Sequence, residues 1–426
     1  MHSWMHALSA SEDIARSGET NPRAAGFMRA PWLAYEAMRE ETGPLWQEPE
    51  TGVVFVLDYA LAEEAMRNHT RFSSFADRAA MRKGGLPEEV LKIKAEGWPF
   101  ALTMVQNDGP THDAYRKLVG PFFLPRKLRL VEPFVAQRIG ELLDAIDAKG
   151  GRSDFFPDFA VPLPVSVIGQ YLGMRHLGDD TVKLWSDAFA DEIGFLTSDT
   201  RAVEIARLTL ECHKTMVALC EERRGGRGED IITVLANATG PGGEPLGNPE
   251  LLSILTQLMV AGNETTTSTL GFAILRLARD PELFARLKDA PQTIAPFLEE
   301  VLRLDSPIQG QFRTAVGDQE LGGHLVPDGT MLHVRFGAVN RDPAVWGKEA
   351  DELQLGRRPP KPHMAFGNGI HFCVGAALSR LEMRLALGEI LARYRTVRLA
   401  VPEEELPFRT NFHQRGMTSL PLEFER

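Results

Sequence analysis

A glycine-rich loop around a single cysteine, running directly into a helix, limits the fold of this chain more than any other feature. The segment 366–382 reads FGNGIHFCVGAALSRLE, with Cys373 at its centre. Glycines allow tight turns and a close approach of the backbone to a flat ligand. A cysteine that enters a helix N-terminus lies near unpaired N–H groups and the positive end of the helix dipole, and both favour its thiolate. Because a thiolate is an electron-donating ligand for iron, the segment predicts either an iron ligand or a turn around a buried structural cysteine.

The composition is that of a soluble globular protein. Of the 426 residues, 43% are hydrophobic and 25% are charged, and the net charge of −11 disfavours a nucleic-acid partner. No apolar run approaches the roughly 20 residues that span a bilayer. The first 23 residues lack the apolar core of a secretory signal, and the three cysteines (Cys212, Cys220 and Cys373) are too few for a disulfide framework. We therefore expect a cytoplasmic protein with no membrane anchor.

The pattern of apolar residues predicts a mainly helical chain with a minor β lobe. Helical periodicity is clearest in three segments: 251–279, 294–304 and 374–394. Two segments have the β-branched or alternating character of strands: 53–57 and 312–334. A long, poorly periodic stretch between Phe75 and Asp108 predicts a lid or binding loop. No change in composition marks a boundary, so we expect residues 1–426 to form a single domain.

The middle of the longest predicted helix is unusually weak. Residues 261–267 read AGNETTT, and both glycine and three threonines lower helix propensity. Threonine hydroxyls bond the carbonyl groups of the preceding turn and bend helices. Glu264 beside Thr265 puts a proton carrier next to a hydroxyl that can hold water. From the residues alone, this segment is either a site of proton transfer or a tolerated weak turn in a buried helix.

Together, these features resemble the cytochromes P-450, which are haem-thiolate monooxygenases. Four residues match the haem-binding signature F-x-x-G-x-x-x-C-x-G: Phe366, Gly369, Cys373 and Gly375. Residues 261–265 resemble the family's oxygen-activation motif A-G-x-[D/E]-T. Residues 108–119, DGPTHDAYRKLV, resemble D-P-P-x-H-x-x-x-R-x-x-V, with Gly109 in place of the first proline. The resemblance covers nearly the whole chain and points to the soluble bacterial class.

The resemblance implies a mainly α fold with a small β lobe, in which haem b lies between the long central helix and the cysteine loop. Cys373 would be the axial ligand of the iron, and Phe366 would shield its sulfur. The other implied haem contacts are His112, Arg116, Ala261, Arg313, Gly367, His371 and Gly375. Glu264 and Thr265 would deliver protons for dioxygen activation.

Glu300 and Arg303 are three residues apart in a predicted helix, so they lie on one face and can pair. Alone, this spacing is typical of exposed helix surfaces. The family keeps a buried Glu–Arg pair in this position along the chain, and the pair supports the cysteine loop. Its usual third member is an arginine before an aromatic residue. This chain has Glu352 and Leu353 there, and Arg357 is a candidate substitute.

The resemblance also implies a substrate and a redox partner. A small or medium apolar molecule would receive one oxygen atom, and the electrons would come from a separate ferredoxin or flavodoxin with its NAD(P)H-dependent reductase. We expect no fused reductase, because the chain ends soon after Cys373. Because such partners are acidic, the implied docking residues are basic: Lys117, Arg126, Lys127, Arg129 and Lys361. The implied substrate pocket consists of Trp98, Phe100, Leu102, Met104, Val260, Ala261, Ile308, Gln309, Gln311, His413 and Gln414.

Several alternatives stay open from the sequence. A haem-thiolate protein could catalyse desaturation, oxidative coupling or peroxide-driven oxidation, or could bind haem or an apolar ligand without catalysis. A zinc site would need His371 and Cys373 together with Cys212 and His213, which are distant in sequence. The chain has neither a C-x-x-C nor an H-E-x-x-H motif to support that site.

Overall fold

The computed structural model describes residues 21–22, 24, 26–76, 85–194 and 198–426, and it is mainly helical. Residues 1–20, in which the sequence predicts no secretory signal, lie outside the described residues, as does the part of the predicted lid at 77–84. Along the described ranges, no helix is both long and apolar enough to cross a lipid bilayer.

The helices account for most of the described chain. They are α1 (Pro31–Thr42), α2 (Tyr59–Arg67), α3 (Glu88–Ala95), α4 (Gly109–Val119), α5 (Pro125–Ala148), α6 (Pro162–Leu172), α7 (Asp179–Gly194), α8 (Asp199–Arg223), α9 (Ile231–Ala236), α10 (Asn248–Arg279), α11 (Pro281–Asp289), α12 (Ile294–Asp305), α13 (Phe336–Val339), α14 (Pro343–Trp346) and α15 (Ala376–Arg393). The predicted helices at 251–279, 294–304 and 374–394 correspond to α10, α12 and α15.

The strands form three small sheets. They are β1 (Leu45–Gln47), β2 (Val54–Val56), β3 (Phe72–Ser73), β4 (Arg152–Asp154), β5 (Gly310–Ala315), β6 (Gln319–Leu321), β7 (His324–Val326), β8 (Met331–Arg335), β9 (Thr396–Leu399) and β10 (Pro421–Glu425). The largest sheet has the order β1-β2-β8-β5-β3, and in it only β2 and β8 pair in parallel. The others are β4-β10-β9 and the hairpin β6-β7. The sequence therefore predicted the strands near 53–57 and within 312–334.

The stretch between Phe75 and Asp108 is not a plain loop as predicted, because it contains α3. This helix buries Val90 and Ile93 against Ala202 and Ala206 of α8. Two buried apolar residues in a helix of eight give too short a pattern to be recognised as periodic.

The long helix α10 lies at the centre of the main hydrophobic core, where it packs against α6, α7, α8, α12 and α15. Its weak segment does not interrupt it, because neighbouring groups satisfy the threonines. Thr267 Oγ1 donates to the carbonyl of Ala160 at 2.9 Å, and Thr266 Oγ1 lies 3.0 Å from Ser379 Oγ on α15. The contact between Thr266 and Ser379 connects α10 to the helix that follows the cysteine loop.

Gly310 permits the tightest contact in the largest sheet. A Cβ atom there would lie 2.0 Å from the carbonyl oxygen of Val334 and 2.5 Å from the His333 ring. The resulting register sets Arg313 opposite Leu332. The close approach of β5 to β8 therefore fixes where Arg313 enters the core.

We predict that Gly310→Ala destabilises the fold by about 3 kcal/mol, because a methyl group has no room between the two strands. Gly388→Ala is the matched control, since Gly388 lies inside α15 with no atom within 4 Å of an added Cβ. That change should raise stability by up to about 1 kcal/mol through helix propensity. Urea unfolding measures both effects, and an unchanged midpoint for Gly310→Ala would contradict the close approach.

Candidate functional site

The loop before α15 presents the sulfur of Cys373 to the first turn of that helix. The N–H of Cys373 donates to the carbonyl of Phe366 at 2.9 Å, which closes the loop. Gly369 has φ +68°, and a Cβ there would lie 2.7 Å from the carbonyl oxygen of Met66. Only glycine fits that position without strain. Gly375 has an ordinary φ of −84°, and its N–H, like that of Ala376, hydrogen-bonds the Cys373 sulfur.

Opposing effects act on the pKa of the Cys373 thiol. Burial raises the pKa of its thiol, whereas the N–H groups of Gly375 and Ala376 and the guanidinium groups of Arg116 and Arg380 lower it. The net pKa lies above the ordinary value. The predicted preference for the thiolate is therefore present as a local effect, but burial outweighs it.

Arg380 is a member of this site that sequence reasoning missed. Its guanidinium lies 4.3 Å above the ring of Phe366 and pairs with Glu299 through two hydrogen bonds of 2.7 and 2.8 Å. His363 Nε2 lies 3.0 Å from the same carboxylate. The position of Arg380 on α15, seven residues after Cys373, is the signal that could have identified it, because two helical turns bring it back to the same face.

A second cluster lies beside the cysteine loop and contains three of the predicted haem contacts. The rings of His112 and His371 are 4.5 Å apart, and His371 Nε2 lies 2.8 Å from Asp108 Oδ1. Hydrogen bonds from His371 and Ser73 lower the pKa of Asp108 despite its burial. Burial lowers the pKa of His371, and the bond to Asp108 only partly opposes this. His371 therefore has a protein partner in addition to any ligand.

Arg313 enters the same cluster with unused hydrogen-bonding groups. It is 2% exposed, and burial lowers its pKa to about 10. Its Nη1 donates to the carbonyl of Phe312 at 2.7 Å, but its Nε and Nη2 have no partner among the described residues. The Nε2 atom of His112 also lacks one there. Because unpaired buried polar groups are costly, this cluster is suited to an anionic ligand group such as a carboxylate.

Arg116, another predicted haem contact, bonds the cysteine loop itself. Its Nη2 donates to the carbonyl of Phe372, next to Cys373. Burial lowers its pKa, and the nearby cysteine opposes this. Arg116 thus contributes positive charge on the side of the sulfur, between the loop and α4.

The two residues of the predicted proton-transfer motif bond different partners. Thr265 Oγ1 donates to the carbonyl of Ala261 at 3.0 Å. Glu264 lies 3.1 Å from Arg409 Nη1 and 3.8 Å from Lys183 Nζ. Glu264, Arg409 and Lys183 line a cavity of about 480 Å³, to which α7, α10 and the segment 409–418 contribute. Sequence reasoning missed Arg409 and Lys183, because no local pattern connects residues so far apart along the chain.

Glu264 carries an unusual charge environment for a carboxyl group. Burial raises its pKa, Arg409 and Lys183 oppose this, and Asp187 raises it further. The net result is a pKa above the ordinary value, so Glu264 keeps its proton to higher pH than an exposed glutamate does.

Glu300 and Arg303 form a buried pair, and Arg357 completes it. Arg303 donates to both carboxylate oxygens of Glu300, at 2.7 and 2.9 Å, and Arg357 Nε donates at 3.1 Å. Both arginines also donate to the carbonyl of Glu352. The arginines lower the pKa of Glu300 although burial opposes them. Arg357 is therefore the third member of the group.

The predicted pocket residues separate into several environments. Ala261 is exposed in the middle of an otherwise buried helix, whereas Met104 and Val260 are buried and Phe100 is 68% exposed. The segment before Arg313 does meet the C-terminal turn, since Ile308 forms a β-bridge with Gln414. The N–H of Gln309 donates to the carbonyl of His413 at 2.8 Å.

Gln309, a predicted pocket residue, is held inside the protein by hydrogen bonds of its own side chain. Its side chain is buried, accepts a hydrogen bond from the Tyr35 hydroxyl at 2.8 Å, and donates to the carbonyls of Asp305 and Ser306. These bonds make it part of the turn at the end of α12. For the zinc alternative, no group of three or more metal-binding side chains occurs among the residues that the structure describes.

Comparison with known proteins gives one family and many relatives. A family model described as Cytochrome P450 matches residues 180–297 and 292–424. Cytochrome P450 107B1 of Saccharopolyspora erythraea is 33% identical, over 75% of this chain and 76% of that protein. Nocardicin C N-oxygenase of Nocardia uniformis subsp. tsuyamanensis is 34% identical, over 84% of this chain and 86% of that protein. The structure of the bacillaene polyketide synthase cytochrome P450 PksS from Bacillus subtilis matches with a TM-score of 0.82 at 28% identity, over 95% of this chain and 100% of that one.

We predict that Glu300→Gln lowers the free energy of unfolding by about 3–5 kcal/mol, because it leaves two buried guanidinium groups without a carboxylate. Glu88→Gln serves as the control, since Glu88 pairs with Lys92 on the surface and both side chains are largely exposed. Thermal or urea unfolding of the two variants gives the comparison. Equal stability of the two would show that the buried group contributes no more than a surface pair.

Proposed function

The chain belongs to the cytochrome P450 family, and we propose that it is a monooxygenase that binds haem b through the thiolate of Cys373. Enzymes of this family are oxidoreductases that incorporate molecular oxygen. The observation that carries the assignment to Cys373 is the arrangement around its sulfur: the N–H groups of Gly375 and Ala376 hydrogen-bond it, and the guanidinium groups of Arg116 and Arg380 add positive charge near it. A coordinating metal cation deprotonates a thiol, which supplies the charge that burial otherwise disfavours.

The remaining residues of the site fit the edges and faces of a haem. Arg313, His112 and His371 would bind its carboxylates, and Arg116 would add positive charge beside them. Phe366 would lie along the sulfur side, with Gly367 and Gly375 allowing close approach, and Ala261 would face the opposite side. When bound, the haem would supply the activation of dioxygen and the transfer of one of its oxygen atoms to the substrate, while the other oxygen atom leaves as water.

The chain's own residues would hold and move the protons that this reaction consumes. The hydroxyl of Thr265, bonded to the carbonyl of Ala261, lies on the side of α10 that bears the exposed Ala261. Glu264 lies next to it in sequence and lines the cavity of about 480 Å³ that Arg409 and Lys183 also line. Burial raises the pKa of this carboxyl group, so it holds a proton more readily than an exposed glutamate does. We propose that Glu264 takes protons from this cavity and that Thr265 passes them to the reaction.

The substrate we propose is a small or medium apolar organic molecule. Most of the remaining pocket residues are apolar, and the amides of Gln311 and Gln414 offer a few polar contacts. Candidate substrates can be screened by the change in haem spin state that their binding produces.

We propose a ferredoxin or flavodoxin, with its NAD(P)H-dependent reductase, as the electron donor. Lys117, Arg126 and Arg129 are exposed near the cysteine loop, and the large apolar side chains of Leu124 and Leu130 are exposed among them. Lys127 and Lys361 contribute less charge, because they pair with Glu229 and Glu63 at 2.7 Å. A basic surface with an apolar centre fits an acidic protein partner. The cytoplasmic location and the single domain remain predictions from the sequence.

The optical spectrum of the reduced, CO-bound protein tests the proposed ligand. We expect a strongly red-shifted Soret band for the wild type and loss of that band in Cys373→His, because a thiolate and an imidazole donate different electron density to iron. Cys212→Ala, which removes a different buried thiol, should keep the wild-type band. A red-shifted band that survives in Cys373→His would refute the assignment.

We predict that Thr265→Ala leaves the ferric spectrum unchanged but increases hydrogen peroxide release several-fold per NAD(P)H consumed. The physical reason is the loss of the hydroxyl that passes protons to the reaction. Thr265→Ser, which retains the hydroxyl, should couple electrons to product nearly as well as the wild type. Product formed per NAD(P)H, measured with any molecule that shifts the haem spin state, decides the question. Wild-type coupling in Thr265→Ala would remove this residue from the proton path.

A further inference from the structure

A buried polar cluster connects the loop before α4 to the long helix α10. Thr103 Oγ1 lies 2.8 Å from Ser253 Oγ, and Gln257 Nε2 donates to both hydroxyls, at 2.7 Å and 2.9 Å. The backbone N–H of Val105 donates to Gln257 Oε1 at 3.2 Å. Thr103 is fully buried and Ser253 nearly so. We refer to the side chains of Thr103, Ser253 and Gln257 as the loop clamp.

Gln257 uses both N–H donors of its side-chain amide within the clamp. Its nitrogen donates to two hydroxyls, and its oxygen accepts from the loop backbone. An amide has two donor hydrogens and one carbonyl oxygen, so no donor is left over for a ligand. Gln257 therefore orients the loop and does not recognise a substrate through its N–H groups.

The clamp lies beside the proposed site. Ser253, Gln257 and Ala261 are spaced four residues apart on α10, so they form one stripe with about 6 Å between successive positions. The clamp thus occupies the two helical turns that precede Ala261. Leu102 and Met104 flank Thr103 in sequence, so the clamp holds this part of the loop against the stripe that leads to Ala261.

The other end of the loop is fixed to the cysteine side. Asp108 accepts hydrogen bonds from Ser73 Oγ at 2.7 Å and from the N–H of Ser74 at 2.8 Å, and it pairs with His371. Asn107 Nδ2 donates to the carbonyl of Leu102 at 3.2 Å. Residues 102–108 therefore connect α10 to the cysteine loop. Among the described contacts, the clamp provides the only side-chain hydrogen bonds between the start of this segment and α10.

We propose that the loop clamp controls how firmly residues 102–105 close over the proposed substrate site, with Gln257 as its positioning residue. This inference rests on the proposed function, since it takes the space beside the exposed Ala261 as the place where substrate binds. Without the amide, two buried hydroxyls lose a donor and the N–H of Val105 loses its acceptor. Opening the loop then restores those bonds with water, so the open state gains population.

Gln257→Leu in the haem-loaded protein tests the proposal, because leucine keeps the approximate size and removes the amide. We expect hydrogen exchange at the amides of residues 102–105 to become about tenfold faster, as for the loss of about one net hydrogen bond. We expect a similar rise in the dissociation rate of 4-phenylimidazole, an apolar azole that coordinates haem iron. The rate for carbon monoxide, which is small enough to escape a closed loop, should change much less.

Thr103→Val should reproduce both effects, and Thr103→Ser, which keeps the hydroxyl, should restore wild-type behaviour. The double variant Thr103→Val/Gln257→Leu should be no faster than the faster single variant, since both changes break the same bonds. Thr256→Val is the matched control, because Thr256 precedes Gln257 on α10 but lies outside the clamp. If Gln257→Leu is too unstable to purify, Thr103→Val carries the test alone.

The outcomes separate this inference from the proposed function. The variants could unfold faster than the wild type while azole release and hydrogen exchange at residues 102–105 keep their wild-type rates. That result would give the clamp a structural role only and would overturn the proposal. Wild-type exchange and release in both Gln257→Leu and Thr103→Val would also overturn it, with the haem assignment intact. A wild-type protein that binds no haem would refute the proposed function, and exchange at residues 102–105 would still decide whether the clamp holds the loop.

Discussion

The hydrogen bonds that the first turn of α15 donates to the sulfur of Cys373 determine how the rest of the site is arranged. They require the chain to turn sharply just before the helix, which the Phe366 carbonyl and the left-handed Gly369 make possible. Arg380 returns to the same face two turns later, and Glu299 holds it in place. Burial raises the pKa of the thiol, and the surrounding positive groups oppose that effect. A buried sulfur in such surroundings is prepared for a cation, and this is the physical basis of the haem-thiolate proposal.

Buried positive charge elsewhere in the protein shows why Arg313 is functionally distinctive. Arg335 is equally buried and also has nitrogen atoms without hydrogen-bond partners among the described residues, but it lies 3.9 Å from the centre of the Phe55 ring and 4.5 Å from that of Phe412. Aromatic faces stabilise a guanidinium there. Around Arg303, carboxylate and carbonyl oxygens do the same. Arg313 has neither an aromatic ring over it nor a bonded carboxylate within the described contacts, which leaves it suited to the carboxylate of a ligand.

The sequence predicted the parts of the protein that depend on local pattern. The cysteine loop could be recognised because its glycines and its cysteine follow one another within ten residues. The helices α10, α12 and α15 could be recognised by their apolar periodicity. Contacts between distant segments could not be predicted in the same way: Arg409 reaches Glu264 from 145 positions away along the chain. The contact between Tyr35 and Gln309 is a second example, because no local pattern connects two residues so far apart along the chain.

X-ray absorption at the iron edge of the haem-loaded protein tests the central claim most directly, because it identifies the atoms bonded to the metal. We expect a sulfur neighbour of the iron in the wild type and in Cys220→Ala, and only nitrogen or oxygen neighbours in Cys373→Ala. A sulfur neighbour that persists in Cys373→Ala, or one that is missing from the wild type, would contradict the account.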